Sequence, residues 1–149
     1  MVDILHRIGA ESATVDDAYA ALTTIDGLAG WWTEDTTAVA DDVIRFRFTL
    51  PQGEDGFDMK VLETEPGKLV HWEVVKGPEE WLGTHIRFEL AQEGDWAIVM
   101  FRHEGWKEPV PFMHHCSTKW ATFLVSLKEL LETGKGSPNP NDLLISDWH

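Results

Sequence analysis

The side chains in this chain with chemistry to offer are few: seven histidines, one cysteine and scattered acids among 149 residues. Two of the histidines alternate into apolar runs. His6 sits between Ile4 and Ile8, and His103 follows Val99 and Phe101, all at spacings of two. In a β-strand that spacing puts both rings on the covered face. An imidazole there has a tunable pKa and can serve as general acid or base. His103 is the candidate catalytic residue on this reasoning, and the plainer account of both rings is a hydrogen-bonded structural histidine. The nearest acids, Asp58 and Glu73, alternate onto the opposite face, so this register forms no histidine–carboxylate pair. A slip of one residue would reverse that.

His114-His115-Cys116 invites a metal reading. Neighbouring helix residues point about 100° apart, so the three cannot converge on one ion. No C-x-x-C or H-x-x-x-H spacing occurs either, and neither a metal nor a cofactor is expected. Cys116 has no evident base and reads as inert packing rather than a nucleophile. Lys119, at the edge of an apolar stripe, is expected to carry its ammonium outward. Glycine-rich phosphate loops and Ser/His/Asp arrangements are absent.

These groups need elements to hold them. From Phe112 to Leu131, residues Phe112, Met113, Cys116, Trp120, Phe123, Leu124, Leu127, Leu130 and Leu131 recur at helical period. Pro109 and Pro111 precede this stretch and Gly134 follows it, the usual order at a helix start and stop. The spacing predicts one long helix of about five or six turns. Upstream, Ile4–Ala10 reads as a first strand. Thr14 with Asp17 resembles a capping box opening a short helix over Asp16–Thr23. Asp26-Gly27 then opens a second short helical stretch, which ends in Trp31 and Trp32 as a plug.

Alternation follows in series. Ile44, Phe46 and Phe48 share one face of Val43–Leu50; Phe57, Met59 and Val61 share a face in the next run. Val70, Trp72 and Val74 come after, then Ile86, Phe88 and Leu90, then Val99, Phe101 and His103. Turns at Pro51–Gly56, Pro66-Gly67 and Glu93–Asp95 separate these runs, and Lys76–Gly83 is a polar loop carrying Trp81. By turn count the run holds about six strands, joined tightly enough for an antiparallel meander. One sheet face is wet and the other must be covered by the single long helix. A curved sheet gripping one helix leaves a cavity between them. Its expected lining is His6, Phe46, Phe48, Phe57, Met59, Trp72, Ile86, Phe88, Val99, Phe101 and His103 from the strands. Met113, Cys116, Ser117, Trp120 and Leu124 would line it from the helix, with Trp32 and Trp81 at its mouth.

Composition narrows the partners. The net charge of −14, from 26 acidic and 12 basic residues, disfavours nucleic acid and anionic membrane surfaces. No apolar run approaches the roughly 18 residues of a membrane span, and Met1–Ala10 has no signal-peptide pattern. A single cysteine allows no intrachain disulfide, so a cytoplasmic location is expected. Eight tryptophans against one tyrosine provide unusual ring surface for a core or a ligand cavity. Residues 1–135 read as one domain and 136–149 as a tail. The tail's Leu143, Leu144, Ile145 and Trp148 would pack on the domain itself or at a dimer contact, giving a monomer or a homodimer.

Three segments carry a family resemblance: DDAYAALTTIDGLAGWWT near the start, GKLVHWEV in the middle, and FRHEGW followed by KWATFLVSLKELLETGKG at the end. Over about residues 4–135 the chain resembles the START-like (SRPBCC) superfamily. Within it, the chain resembles bacterial proteins similar to the C-terminal domain of the activator of heat-shock-protein-90 ATPase. The resemblance implies an α+β helix-grip fold: a curved antiparallel β-sheet wrapped around a long C-terminal α-helix, with two short helices after the first strand and a deep pocket inside. Members bind or carry lipids, sterols, polyketides or plant hormones, and some are aromatase/cyclase enzymes. A fold hosts functions without naming one. The expected function is non-enzymatic binding of a small hydrophobic or aromatic molecule in that cavity. The alternatives are a polyketide cyclase/dehydratase-like enzyme using His103, and an interaction module regulating a chaperone ATPase.

Overall fold

Alternation of apolar and polar residues builds one antiparallel sheet in the computed structural model, which describes residues 1–149. Strand β1 (Val2–Glu11) leads into helices α1 (Val15–Thr23) and α2 (Ile25–Trp31). Strands β2 (Asp35–Ala40), β3 (Val43–Leu50), β4 (Gly53–Glu65), β5 (Leu69–Lys76), β6 (His85–Glu93) and β7 (Trp96–Trp106) follow, then helix α3 (Pro111–Thr133). The sheet order is β1-β7-β6-β5-β4-β3-β2. The last six strands are a meander, and β1 closes onto β7. This is the helix-grip α+β fold. No helix is long and apolar enough to cross a membrane.

Strand β2 has no counterpart among the runs of alternation in the sequence. It lies at a sheet edge with only Thr36 buried, so neither face carries a periodic apolar signal. Elsewhere the register aligns the inward residues in rows: Ile4 and Ile86 flank His103, His6 and Phe88 flank Phe101, and Val70 lies opposite Phe88. Each large apolar side chain buried in these rows contributes about 1.5–3 kcal/mol. On the outer face Asp58 is covered by Arg45, whose Nε and Nη2 donate to its two carboxylate oxygens at 2.9 and 3.0 Å. That bidentate pair holds the Arg45 guanidinium pKa above its ordinary value, chiefly through the hydrogen bond to Asp58.

The helices start and stop as their end residues dictate. Thr14 Oγ1 accepts the Asp17 N–H at 3.1 Å, capping α1. Gly134 ends α3 at φ 84°, a left-handed turn that glycine adopts without a Cβ clash, and its N–H reaches Leu130 O at 2.9 Å. Along α3 the buried stripe is Cys116, Lys119, Trp120, Phe123, Leu124, Ser126 and Leu127. Two of these are polar, and both are there because the tail returns to meet them. Ser126 Oγ donates to Trp31 O at 2.8 Å and accepts the Ser137 N–H at 2.7 Å. Asn139 is stitched on both sides: its amide exchanges two hydrogen bonds with the Thr49 backbone, at 2.8 and 2.9 Å, and its own N–H donates to Trp32 O at 2.9 Å.

The position of α3 across the sheet decides where space is left. Its backbone runs closest to β1. His6 Nε2 donates to Ser117 O there at 3.0 Å. The separation from the sheet widens toward β3 and β4, and side chains have to span it. Trp32 meets Trp120 with ring centroids 4.9 Å apart, and Phe48 meets Phe123 at 6.0 Å.

Candidate functional site: an aromatic cavity under the C-terminal tail

A cavity of about 230 Å³ opens in that wider part. Phe48, Leu50, Gln52, Asp55 and Phe57 from β3–β4 form one wall, and Trp32, Pro78 and Trp81 form a second. Helix α3 contributes Phe112, His115, Cys116, Lys119, Trp120 and Phe123, and the tail contributes Trp148 and His149. Trp81 is fixed between Phe57, stacked at 4.2 Å, and Trp120, stacked at 5.9 Å. Rings held on both faces cannot swing to fill the gap, so the cavity stays open with flat aromatic walls.

Of the residues expected to line a pocket, Trp32, Phe48, Phe57, Trp81, Cys116 and Trp120 border this one. The structure places Phe46, Met59, Trp72, Ile86, Phe88, Val99, Phe101 and Leu124 in solid core instead, each at most 1% exposed. They point inward as their alternation requires, but α1, α2 and α3 press against them directly. Met113 packs at the start of α3. Ser117 faces β1, where its carbonyl and hydroxyl meet His6 Nε2 at 3.0 and 3.3 Å. His6 therefore bridges strand to helix and does not border the cavity.

His103 is fully buried behind the cavity wall. Trp120 Nε1–H donates to its Nδ1 at 3.1 Å, which leaves the proton on Nε2 to donate to Thr84 Oγ1 at 2.8 Å. Thr84 Oγ1 donates in turn to Trp81 O at 2.5 Å. Burial lowers the His103 pKa to about 3, so the ring is neutral at physiological pH. Both nitrogens are committed, and neither faces the cavity with a free lone pair. The chain of bonds fixes Trp120 and Trp81, and so holds the two main cavity walls in place.

Cys116 is equally quiet. Burial pushes its thiol up to about 12, partly offset by the indole N–H of Trp81 beside it. That N–H is not aligned as a hydrogen bond and has no partner. Lys119 departs from expectation. Instead of reaching solvent it is buried, with Nζ 2.6 Å from Asp142 Oδ2 and donating to Leu143 O at 2.6 Å. The tail covers it. His115 and His149 flank this pair, and burial lowers both their pKa values; the Lys119 cation adds to the shift at His115, whereas at His149 the Asp142 carboxylate opposes it. No group of three or more His, Cys, Asp or Glu side chains forms a metal cluster.

The lining residues outside the sequence reading are Leu50, Gln52, Asp55, Pro78, Phe112, His115, Lys119, Phe123, Trp148 and His149. Phe112 and Phe123 lie on the helical stripe, and a wider choice along it would have reached them. Trp148 belongs to the apolar group of the tail, whose expected place is the domain's own surface or a dimer contact rather than the cavity. Nothing local signals that Lys119 turns inward, because its partner is 23 residues away.

The comparisons with known proteins agree with this architecture. The family model described as "Activator of Hsp90 ATPase homolog 1-like protein" matches residues 12–132. The solution structure of the Aha1 dimer from Colwellia psychrerythraea is 46% identical, covers 91% of this chain and 100% of its own, and has a TM-score of 0.80. Two further structures share the fold at low identity. SSP2350 from Staphylococcus saprophyticus is 14% identical, covers 91% of this chain and 95% of its own, with TM-score 0.71. DynU16, from the dynemicin biosynthetic locus, is 22% identical and covers 90% of this chain and 48% of its own, with TM-score 0.72. A comparison with curated proteins finds no match. With its seven-stranded sheet gripping α3 and a family match over most of its length, the chain belongs to the activator of Hsp90 ATPase homolog 1-like family of the START-like superfamily.

Proposed function

We propose that this protein binds a small aromatic molecule of one or two rings in the cavity beneath its tail. The observation that carries the reading is the cavity itself: about 230 Å³, walled by rings that their neighbours hold in place. An apolar cavity of about 150 Å³ accommodates benzene, and drug-sized ligands occupy about 300 Å³ or more. The volume thus favours a ligand smaller than a sterol or a lipid chain. Affinity would come from ring burial at about 25 cal/mol per Å² of apolar area, less the cost of association. Titration with 2-naphthylmethanol, followed by the indole N–H resonances of Trp81 and Trp120, tests it. Both should shift and saturate, and Cys116→Phe, which fills the cavity, should abolish the shift. Unmoved resonances at millimolar probe would refute it.

Catalysis through His103 gains no support from the geometry, since both its ring nitrogens are engaged. A second reading is favoured by the family description and by the 46% identical relative: this chain engages an Hsp90-class ATPase. Purified protein added to that chaperone should raise ATP turnover, and an unchanged rate at saturating protein would remove the idea.

A further inference from the structure

The chain itself closes one side of the cavity, and the groups that do so are chemically specific. Lys119 is the only lysine or arginine among the lining residues. Its side chain is 10% exposed and that of its partner Asp142 is 2% exposed. His149 Nε2 completes the cluster at 3.2 Å from the same carboxylate oxygen. Beside it the Trp148 indole packs edge-on to His115, ring centroids 5.7 Å apart. The tail thus borders the aromatic cavity with the Trp148 indole and the His149 imidazole, while its Asp142 carboxylate engages Lys119 without itself lining the cavity. These tail residues lie beyond position 132, where the family match ends.

Stability alone gives little reason for a lysine here. A buried ion pair contributes about as much as well-packed apolar side chains would, or less. An apolar residue at 119 would continue the stripe of α3. What the lysine adds is a cation at the edge of an apolar cavity, matched to a carboxylate on the C-terminal segment, where Asp142 Oδ1 also accepts from Asn139 Nδ2 at 3.1 Å and Lys119 Nζ reaches His149 O at 3.4 Å. The tail is anchored firmly at Asn139, but beyond it Leu143, Leu144 and Trp148 are 66%, 61% and 47% exposed. With a net charge of −14 the protein as a whole repels anions, so recognition of one must be local to Lys119.

Resting on the reading that the cavity takes a small aromatic molecule, we propose that its ligand is an aromatic carboxylic acid. Lys119 pairs with the ligand carboxylate. Asp142 holds that position in the unliganded protein, and Asp142–His149 form a displaceable lid. The remaining charged or titratable groups around the cavity are Asp55, on the opposite wall, Cys116 on α3, and His115 and His149, which flank the lysine.

The test compares 2-naphthoate with 2-naphthylmethanol, the same ring system with and without the charge, by calorimetry on the full chain. Asp142→Asn removes the carboxylate that competes for the ammonium and should raise the acid-to-alcohol affinity ratio about tenfold, the scale of one charge-assisted hydrogen bond. Lys119→Met should bring the ratio to about one, and Lys119→Arg should retain the preference. Either lid-releasing variant improves access for both probes, so the ratio, not the affinity, reads out charge recognition. Wild-type protein gives a readout that needs no substitution: the acid, and not the alcohol, should move the backbone amide resonances of Asp142 and Leu143, which contact Lys119 without lining the cavity. Equal ratios in all variants, or unmoved Asp142 and Leu143 signals at saturating acid, overturn the proposal while the cavity reading stands. Failure of both probes to bind any of the proteins overturns both.

Discussion

Replacing His103 with glutamine should turn a pH-dependent core into a pH-independent one. Folded His103 is held to about 3 by burial against an ordinary 6.5. The unfolded ring therefore takes up a proton below pH 6.5 that the folded ring refuses. Its contribution to stability is complete above about 6.5 and is lost as the pH falls toward 3. At about 1.4 kcal/mol per pH unit the whole window is worth about 5 kcal/mol, a large part of the 5–15 kcal/mol typical of a domain. Glutamine can accept from Trp120 Nε1 and donate to Thr84 Oγ1 without titrating, so His103→Gln should cost only about 1–2 kcal/mol at pH 7.5. Urea unfolding of both proteins from pH 7.5 to 4.5 measures the difference, in which the other titrating groups cancel. The wild-type advantage should shrink by about 3 kcal/mol and reverse sign before pH 4.5. A difference that stays flat across that range would refute the neutral, doubly bonded histidine on which the description of the cavity wall rests.

Three further outcomes follow from named contacts. A Cβ at position 136 would lie 2.5 Å from Gly30 O and 2.8 Å from Ser126 O, so Gly136→Ala should lift the tail. It should destabilise the protein by about 1–3 kcal/mol and shift Trp148 emission to the red; unchanged urea midpoint and emission would contradict it. Leu127, fully buried on α3, should cost about 2–5 kcal/mol when cut to alanine, with a loss under 1 kcal/mol in urea unfolding speaking against a closed core there. With its thiol raised to about 12, Cys116 should react with an aromatic disulfide reagent at pH 8 about a thousandfold more slowly than in urea-unfolded chain. Comparable rates would show an accessible thiolate.

Much of the fold can be read from local pattern. The alternation in Val43–Leu50, Leu69–Val75 and the strand carrying His103 assigns inward and outward faces correctly, because side-chain direction in a strand has period two whatever it packs against. The apolar stripe from Phe112 to Leu131 gives α3 for the same kind of reason. Strand β2 escapes, since an exposed edge strand imposes no apolar period.

The sequence by itself determined every element but β2, and the inward face of each amphipathic one, since side-chain direction within an element depends on residues a few positions apart. Only the tertiary structure decided which inward residues border empty space. Phe88 and Phe48 alternate alike, yet one is pressed by helices and the other faces a gap, because α3 runs beside β1 and draws away from β3 and β4. It also decided that Lys119 turns inward. Its carboxylate partner, Asp142, arrives on a tail whose return path is written in Asn139 and Ser126 contacts and not in any periodicity of the tail itself.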